Sequence, residues 1–232
     1  QNDIAKAYRL GVRLFAFDSE AELQKIKVVA PGSKVFCRVI MNNTASKWPI
    51  DDKFGCSSEM AINLLTNAQN SGLKAYGISF HVGSQQTNLK QWDKALKRIV
   101  RIFSALKKQG ILLKWLNLGG GFPIRYRKDI PDIYEIAASI NSFLEREFGK
   151  EIPQIMLEPG RFIIGDAGLI RSEVVLVSKK TYKANERWVY LDIGKFGGLA
   201  ETMNEAIQYP LRTFKDNNKN CLLYTSPSPR DR

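Results

Sequence analysis

The sequence predicts an α/β fold in which parallel strands alternate with helices. Three observations predict it. Short runs of β-formers recur five times between residues 12 and 158. The stretches between them carry apolar residues three and four apart, the spacing of a helix with one buried face. Glycines such as Gly72 and Gly110 stop those stretches where a helix would end. Repeated strand–helix–strand units require parallel strands covered by helices. A doubly wound sheet and a (β/α)8 barrel both meet that description. Five units are too few to close a barrel, so the barrel reading requires strands outside this sequence.

The elements follow in order. Asp3 is placed to cap a short helix over 4–10 that ends at Gly11, and "VRLFAF" (12–17) reads as a strand. Ser19 and Glu22 have capping-box spacing for a helix over 20–29. "KVFCRVI" (34–40) is a strand. Ala61, Leu64, Leu65 and Ala68 give 58–71 one apolar face. "KAYGISF" (74–80) is the next strand, and Trp92, Leu96, Ile99, Phe103 and Leu106 mark a long helix. "LLKWLNL" (112–118), a helix marked by Ile133, Ile136, Ala137, Ile140 and Leu144, and "QIMLE" (154–158) complete the alternation. Near residue 165 the rhythm changes. "SEVVLVSKKTYK" (172–183) and "RWVYLDIG" (187–194) are two strands with only a short turn between them, the entry to a β-rich second domain.

Composition narrows the function classes. The chain has 232 residues, 44% hydrophobic, with a formal charge of +12. The basic residues are scattered, as in "KALKRIVRIFSALKK" (94–108), where they lie between apolar positions. That is a solvated helix face rather than a nucleic-acid-binding patch. No apolar run approaches the roughly 20 residues that span a bilayer. Cys37, Cys56 and Cys221 show neither metal-ligand spacing nor a disulfide framework, which fits a reducing, cytoplasmic setting. The opening Gln1-Asn2-Asp3 carries no basic-then-apolar leader and reads as if cut from something longer. "CLLYTSPSPRDR" (221–232) differs from the rest. It reads as translated adapter sequence, with a Ser/Pro-rich linker as the other reading.

Three unusual segments follow strands directly: His81-Val82-Gly83-Ser84, Gly119-Gly120-Gly121-Phe122-Pro123 and Glu158-Pro159-Gly160-Arg161. In parallel α/β folds the carboxyl ends of strands gather on one face, where ligands bind. His81 is the single histidine, and either a satisfied structural imidazole or a site residue. The glycines form either a tight turn or an anion nest of backbone amides. No Lys-Ser or Lys-Thr follows them, so they are not a Walker loop, and G-x-G-x-x-G is absent. Arg161 suits a phosphate and Ser84 adds a hydrogen bond. Glu158 would repel a phosphate, so it is either a salt-bridge partner at the turn or the contact for a cationic end of the ligand. A phosphate, a protonatable ring nitrogen and an imidazole against the ring together describe pyridoxal phosphate.

"FHVGSQQ", "LNLGGGFP" and "EPGRFIIGDAG", in this order, resemble the fold-type III pyridoxal-phosphate-dependent decarboxylases of ornithine, lysine, diaminopimelate and arginine. "WVYLDIGKFGGLAETMNEAIQYP" (188–210) resembles the ornithine/lysine branch, and the similarity runs from Gln1 to about Asn220. The resemblance implies a partial (β/α)8 TIM barrel of the alanine-racemase-like kind over 1–165, with N-terminal strands missing. The start of a C-terminal β-rich domain over 166–220 follows. It implies pyridoxal 5'-phosphate as cofactor and a basic amino acid as substrate: L-ornithine, giving putrescine in polyamine biosynthesis, or L-lysine, giving cadaverine. His81 would stack on the cofactor ring and Glu158 would pair with its nitrogen, both as catalytic residues. Ser84, Gly119, Gly120, Gly121 and Arg161 would hold the phosphate, and Arg38 would lie near the cofactor. Glu205 would receive the distal ammonium of the substrate. The resemblance places the Schiff-base lysine before Gln1, and a cysteine–aspartate pair and a tyrosine beyond Asn220. The chain is therefore expected to be inactive alone and to form a homodimer when full length. Diaminopimelate or arginine decarboxylase, and a non-catalytic homologue regulating polyamine synthesis, remain the other readings.

Overall fold

The computed structural model describes residues 1–41 and 53–214. The chain divides into two units. The first comprises Gln1–Pro123 and Pro131–Ile163; the second comprises Ile124–Ile130 and the described residues from Ile164 on.

The first unit alternates helix and strand: α1 (Asn2–Arg9), β1 (Leu14–Phe17), α2 (Glu20–Val29), β2 (Lys34–Arg38), α3 (Ser58–Asn70), β3 (Lys74–Ser79), α4 (Leu89–Lys108), β4 (Trp115–Asn117), α5 (Ile133–Phe148), β5 (Gln154–Met156) and α6 (Gly160–Ile164). Side-chain caps start the helices. Ser19 accepts from the Glu22 amide at 3.3 Å, Ser57 from Met60 at 3.1 Å, and Asn88 from Lys90 at 3.0 Å. Asp132 and Glu135 complete a reciprocal capping box on α5. One expectation is corrected at the N-terminus. Gln1, not Asp3, occupies the cap of α1, and Asp3 lies in its first turn, where its charge complements the exposed amides. The short helix α6 directly after the Glu158 turn was not anticipated.

All five strands of this unit form one sheet in the order β1-β2-β3-β4-β5, and every neighbouring pair is parallel. A doubly wound sheet reverses its strand order at a switch point. Here each strand pairs with the next in sequence, which is an arc of a barrel. The helices bury one face each. Leu23 and Ile26 of α2, Ala61, Leu64, Leu65 and Ala68 of α3, and Trp92, Leu96, Ile99 and Ile102 of α4 pack with Val35, Ile78 and Leu116 of the sheet. Trp92 anchors this layer between Phe80 and Phe122, with ring centroids 6.4 and 4.9 Å away.

The strand register sets the height of everything that follows the strands. Arg38 pairs with Ser79, Ser79 with Asn117 and Asn117 with Met156, forming one row across four strands. His81, Gly119 and Glu158 each stand two residues beyond that row. Pairing continues into these segments: the Phe80 amide donates to Asn117 at 3.1 Å, Leu118 to Met156 at 2.9 Å, and Glu158 to Gly119 at 2.8 Å.

In the second unit, β6 (Val174–Ser178) and β7 (Trp188–Leu191) form an antiparallel pair. The Asp192 carboxylate closes its open end, accepting from the Ser172 hydroxyl at 2.6 Å and the Glu173 amide at 2.9 Å. Tyr126 and Tyr209 meet edge to face at 5.1 Å. Among the described residues no helix is long and apolar enough to cross a membrane, and no cluster of three His, Cys, Asp or Glu side chains is placed to hold a metal ion.

Candidate functional site

The carboxyl ends of β2 to β5 bring Arg38, His81, Ser84, the glycine triplet, Glu158 and Arg161 to one end of the sheet. The Arg161 guanidinium donates through Nε to the Ser84 hydroxyl at 3.1 Å, across 77 residues of sequence. The Asn117 side-chain amide donates to Glu158 Oε1 at 2.8 Å, and its Oδ1 accepts the Gly119 amide at 2.8 Å. The Gly83 amide donates to His81 Nδ1 at 2.9 Å. That bond leaves Nε2 to carry the proton of the neutral ring. Burial pulls the His81 pKa below its ordinary value, and the positive charge of Arg38 pushes the same way, while Glu158 opposes them. His81 is thus held neutral beside a cation and a carboxylate.

The glycine triplet owes its composition to backbone contact. Gly119 and Gly121 have φ of +67° and +92°, the left-handed region that side chains disfavour. A Cβ at Gly119 would land on the Phe80 carbonyl, and one at Gly121 on the Gly83 carbonyl. At Gly120 it would sit 2.6 Å from the Glu158 carbonyl and 3.0 Å from His81 Nε2. These three residues let the segments after β3, β4 and β5 touch. The Gly119 amide is committed to Asn117, so this glycine shapes the loop.

Two residues of the site had not been singled out. Asn117 is buried and holds Glu158 in place. Its signal was a lone amide inside the apolar run "WLNL". Gln86 is fully buried, donating to the Val82 carbonyl at 2.9 Å and accepting from the Asn88 amide at 3.1 Å. It pins the loop that carries Ser84. Glu205 lies in the second unit, exposed, with a left-handed φ of 57° directly after Asn204 at 52°.

The sequence model of the pyridoxal-dependent decarboxylases, for their pyridoxal binding domain, matches residues 1–165. The chain belongs to this family. Among its relatives is a lysine/ornithine decarboxylase of Selenomonas ruminantium, 34% identical over 218 residues, covering 94% of this chain and 54% of that one. A solved structure of lysine/ornithine decarboxylase from Vibrio vulnificus, complexed with cadaverine, superposes with a TM-score of 0.76 at 30% identity, covering 92% of this chain and 54% of that one. A structure of SrLDC in complex with PLP and cadaverine gives 0.73 at 31% identity, with 91% and 52% covered. The chain therefore spans about half the length of the relatives it matches, and the barrel arc of the first unit is this family's fold.

The donor set suits the family's cofactor, pyridoxal phosphate. A guanidinium paired with a hydroxyl matches a phosphate, a carboxylate held by an amide matches a ring nitrogen that carries a proton, and a neutral imidazole matches an aromatic face.

Proposed function

We propose that this chain is part of a pyridoxal-phosphate-dependent decarboxylase of a basic amino acid, with L-ornithine or L-lysine as substrate and putrescine or cadaverine as product. The observation that carries the reading is the convergence of His81, Ser84, Glu158 and Arg161 on one end of the sheet in a pyridoxal binding domain. When bound, the cofactor supplies an electron sink for the pair left behind as carbon dioxide departs. Arg161 and Ser84 hold the phosphate, with Gly119, Gly120 and Gly121 shaping the floor beside them. His81, neutral by burial, lies against the ring. Glu158 keeps the ring nitrogen protonated, and Asn117 aims Glu158. Arg38 adds positive charge beside His81. Glu205, an exposed carboxylate of the second unit, is the candidate to receive the substrate's distal ammonium, its charge opposite to that group's. On this reading residues 1–165 are the cofactor-binding part of the barrel, 166–220 begin the β-rich domain, and the full-length protein is a cytoplasmic homodimer.

The test has two stages. Pyridoxal phosphate is titrated into the chain and followed by quenching of its tryptophan fluorescence. Saturable binding, weakened at least tenfold by Arg161→Ala, is expected; signal that stays linear with cofactor would refute the cradle. The full-length protein is then offered L-ornithine, L-lysine, diaminopimelate and L-arginine, and the amine products are measured. Putrescine or cadaverine as the main product supports the reading, whereas release from diaminopimelate or arginine alone replaces the substrate.

A further inference from the structure

At the end of β2, next to Arg38, the buried thiols of Cys37 and Cys56 stand 3.4 Å apart. Both are free cysteines. The backbone holds them there from both sides. Cys56 forms a parallel bridge with Val39, its amide donates to the Arg38 carbonyl at 3.0 Å, and the Ile40 amide donates to its carbonyl at 2.9 Å. Both sulfurs also approach the Arg38 carbonyl, at 3.8 and 3.5 Å.

We propose that Cys37 and Cys56 are a redox-sensitive dithiol that a peroxide closes reversibly to a disulfide, a modification site built onto the end of β2 beside Arg38. A disulfide bond is about 2.05 Å long, so the sulfurs need only a small approach between the end of β2 and the segment bridged to it at Val39. The pair is also divided chemically. Its hydrogen bond to Cys56 and its burial keep Cys37 a thiol, far above the ordinary range. Cys56 moves the other way, chiefly through its hydrogen bond with Cys37, with the Arg98 charge helping against burial and against Asp18. Arg98 is fixed for this by donating to the Ile40 carbonyl at 2.8 Å and the Ser58 hydroxyl at 2.6 Å. Asp18 accepts the Gly55 amide at 2.6 Å, next to Cys56. Cys56, 4% exposed against 0% for Cys37 and beside the Arg98 charge, is the attacking sulfur and Cys37 the resolving one.

The electrons balance with hydrogen peroxide as oxidant. The Cys56 thiolate attacks one peroxide oxygen, the O–O bond breaks, and hydroxide leaves, giving a sulfenic acid. The Cys37 sulfur then bonds to the Cys56 sulfur and expels the hydroxyl, which departs with the Cys37 proton as water. Two thiols lose two electrons, and the peroxide gains them.

The test uses the folded 232-residue chain, whose third cysteine, Cys221 in the 221–232 stretch, is an internal control. After incubation with hydrogen peroxide, remaining thiols are alkylated under denaturing conditions and the peptides are mapped by mass. The expected result is loss of two of the three alkylatable thiols, a Cys37–Cys56 linked peptide lacking two hydrogens, and full recovery with a thiol reductant. In Cys56→Ser the link is absent and Cys37 is alkylated. Oxidation of Cys56 to the sulfinic acid with Cys37 still alkylatable, a link to Cys221, or no thiol loss before the chain unfolds would each overturn the proposal. The wild-type map decides the matter even if the variant does not fold.

Discussion

The helices of the first unit and the hairpin of the second are both rich in aliphatic residues, yet they end in different places. Trp92, Leu96, Ile99 and Ile102 on α4 are at most 1% exposed. Val174, Val175, Leu176 and Val177 on β6 are 49–61% exposed. The difference is not hydrophobicity. The inner strands β2, β3 and β4 have neighbours on both edges and helices against them, whereas among the described residues β6 has one paired neighbour, β7. An apolar strand is buried only when something else supplies the second surface. The same rule grades the sheet itself. Trp115, Leu116 and Asn117 of β4 are all buried, while Gln154 and Met156 of the edge strand β5 are exposed.

The comparison is broken most strongly in the α4 layer. Truncating Trp92 to Ala leaves a cavity between Phe80 and Phe122 and should destabilise the first unit by about 3–5 kcal/mol. Denaturant unfolding of the variant measures it. A loss near zero would mean that the layer is loosely packed. Next in size is the joint between the strand ends. Asn117→Ala strands the buried Gly119 amide and frees Glu158, a cost of about 1–3 kcal/mol with weaker pyridoxal phosphate binding. Unchanged cofactor affinity in a folded variant would remove Asn117 from the site.

The smaller effects sharpen the contrast. Val175→Lys on the exposed strand should change stability by no more than about 0.5 kcal/mol and reduce self-association, read by light scattering. A large loss would show that β6 is covered in solution. The smallest effect belongs to His81. As the single histidine, its imidazole resonance can be followed by NMR without assignment, and it should titrate below about 6.5. Arg38→Ala should raise the midpoint and Glu158→Gln lower it. The sign for stability follows from linkage. Between the folded value and about 6.5 the unfolded chain binds more protons, so stability rises with pH across that window, and His81→Gln should flatten it.

Much of this was legible beforehand because it is local. The helix over Glu20–Val29 follows from Ser19 and the apolar spacing after it, and β3 and α4 lie where their patterns put them. His81, Glu158 and Arg161 were visible as odd residues directly after strands. Asn117 and Gln86 were not, because a buried amide looks like any other until its partners are known. The Cys37–Cys56 contact was equally hidden, since 19 residues separate them and no spacing rule joins them.

By itself, then, the sequence determined the alternation of strands and helices, the faces they bury, and which residue types follow each strand. Those depend on capping, periodicity and turn chemistry within a few residues. The local pattern left a doubly wound sheet and a barrel open, and the motif resemblance implied the barrel, which the pairing of strands in chain order bears out. Only the tertiary structure decided that Arg38, Ser79, Asn117 and Met156 share one row, and that the glycine triplet exists for backbone contact with neighbouring segments. Strand order and register are settled by contacts between segments dozens of residues apart, where loop closure and burial are balanced over the whole unit and no local pattern holds the answer.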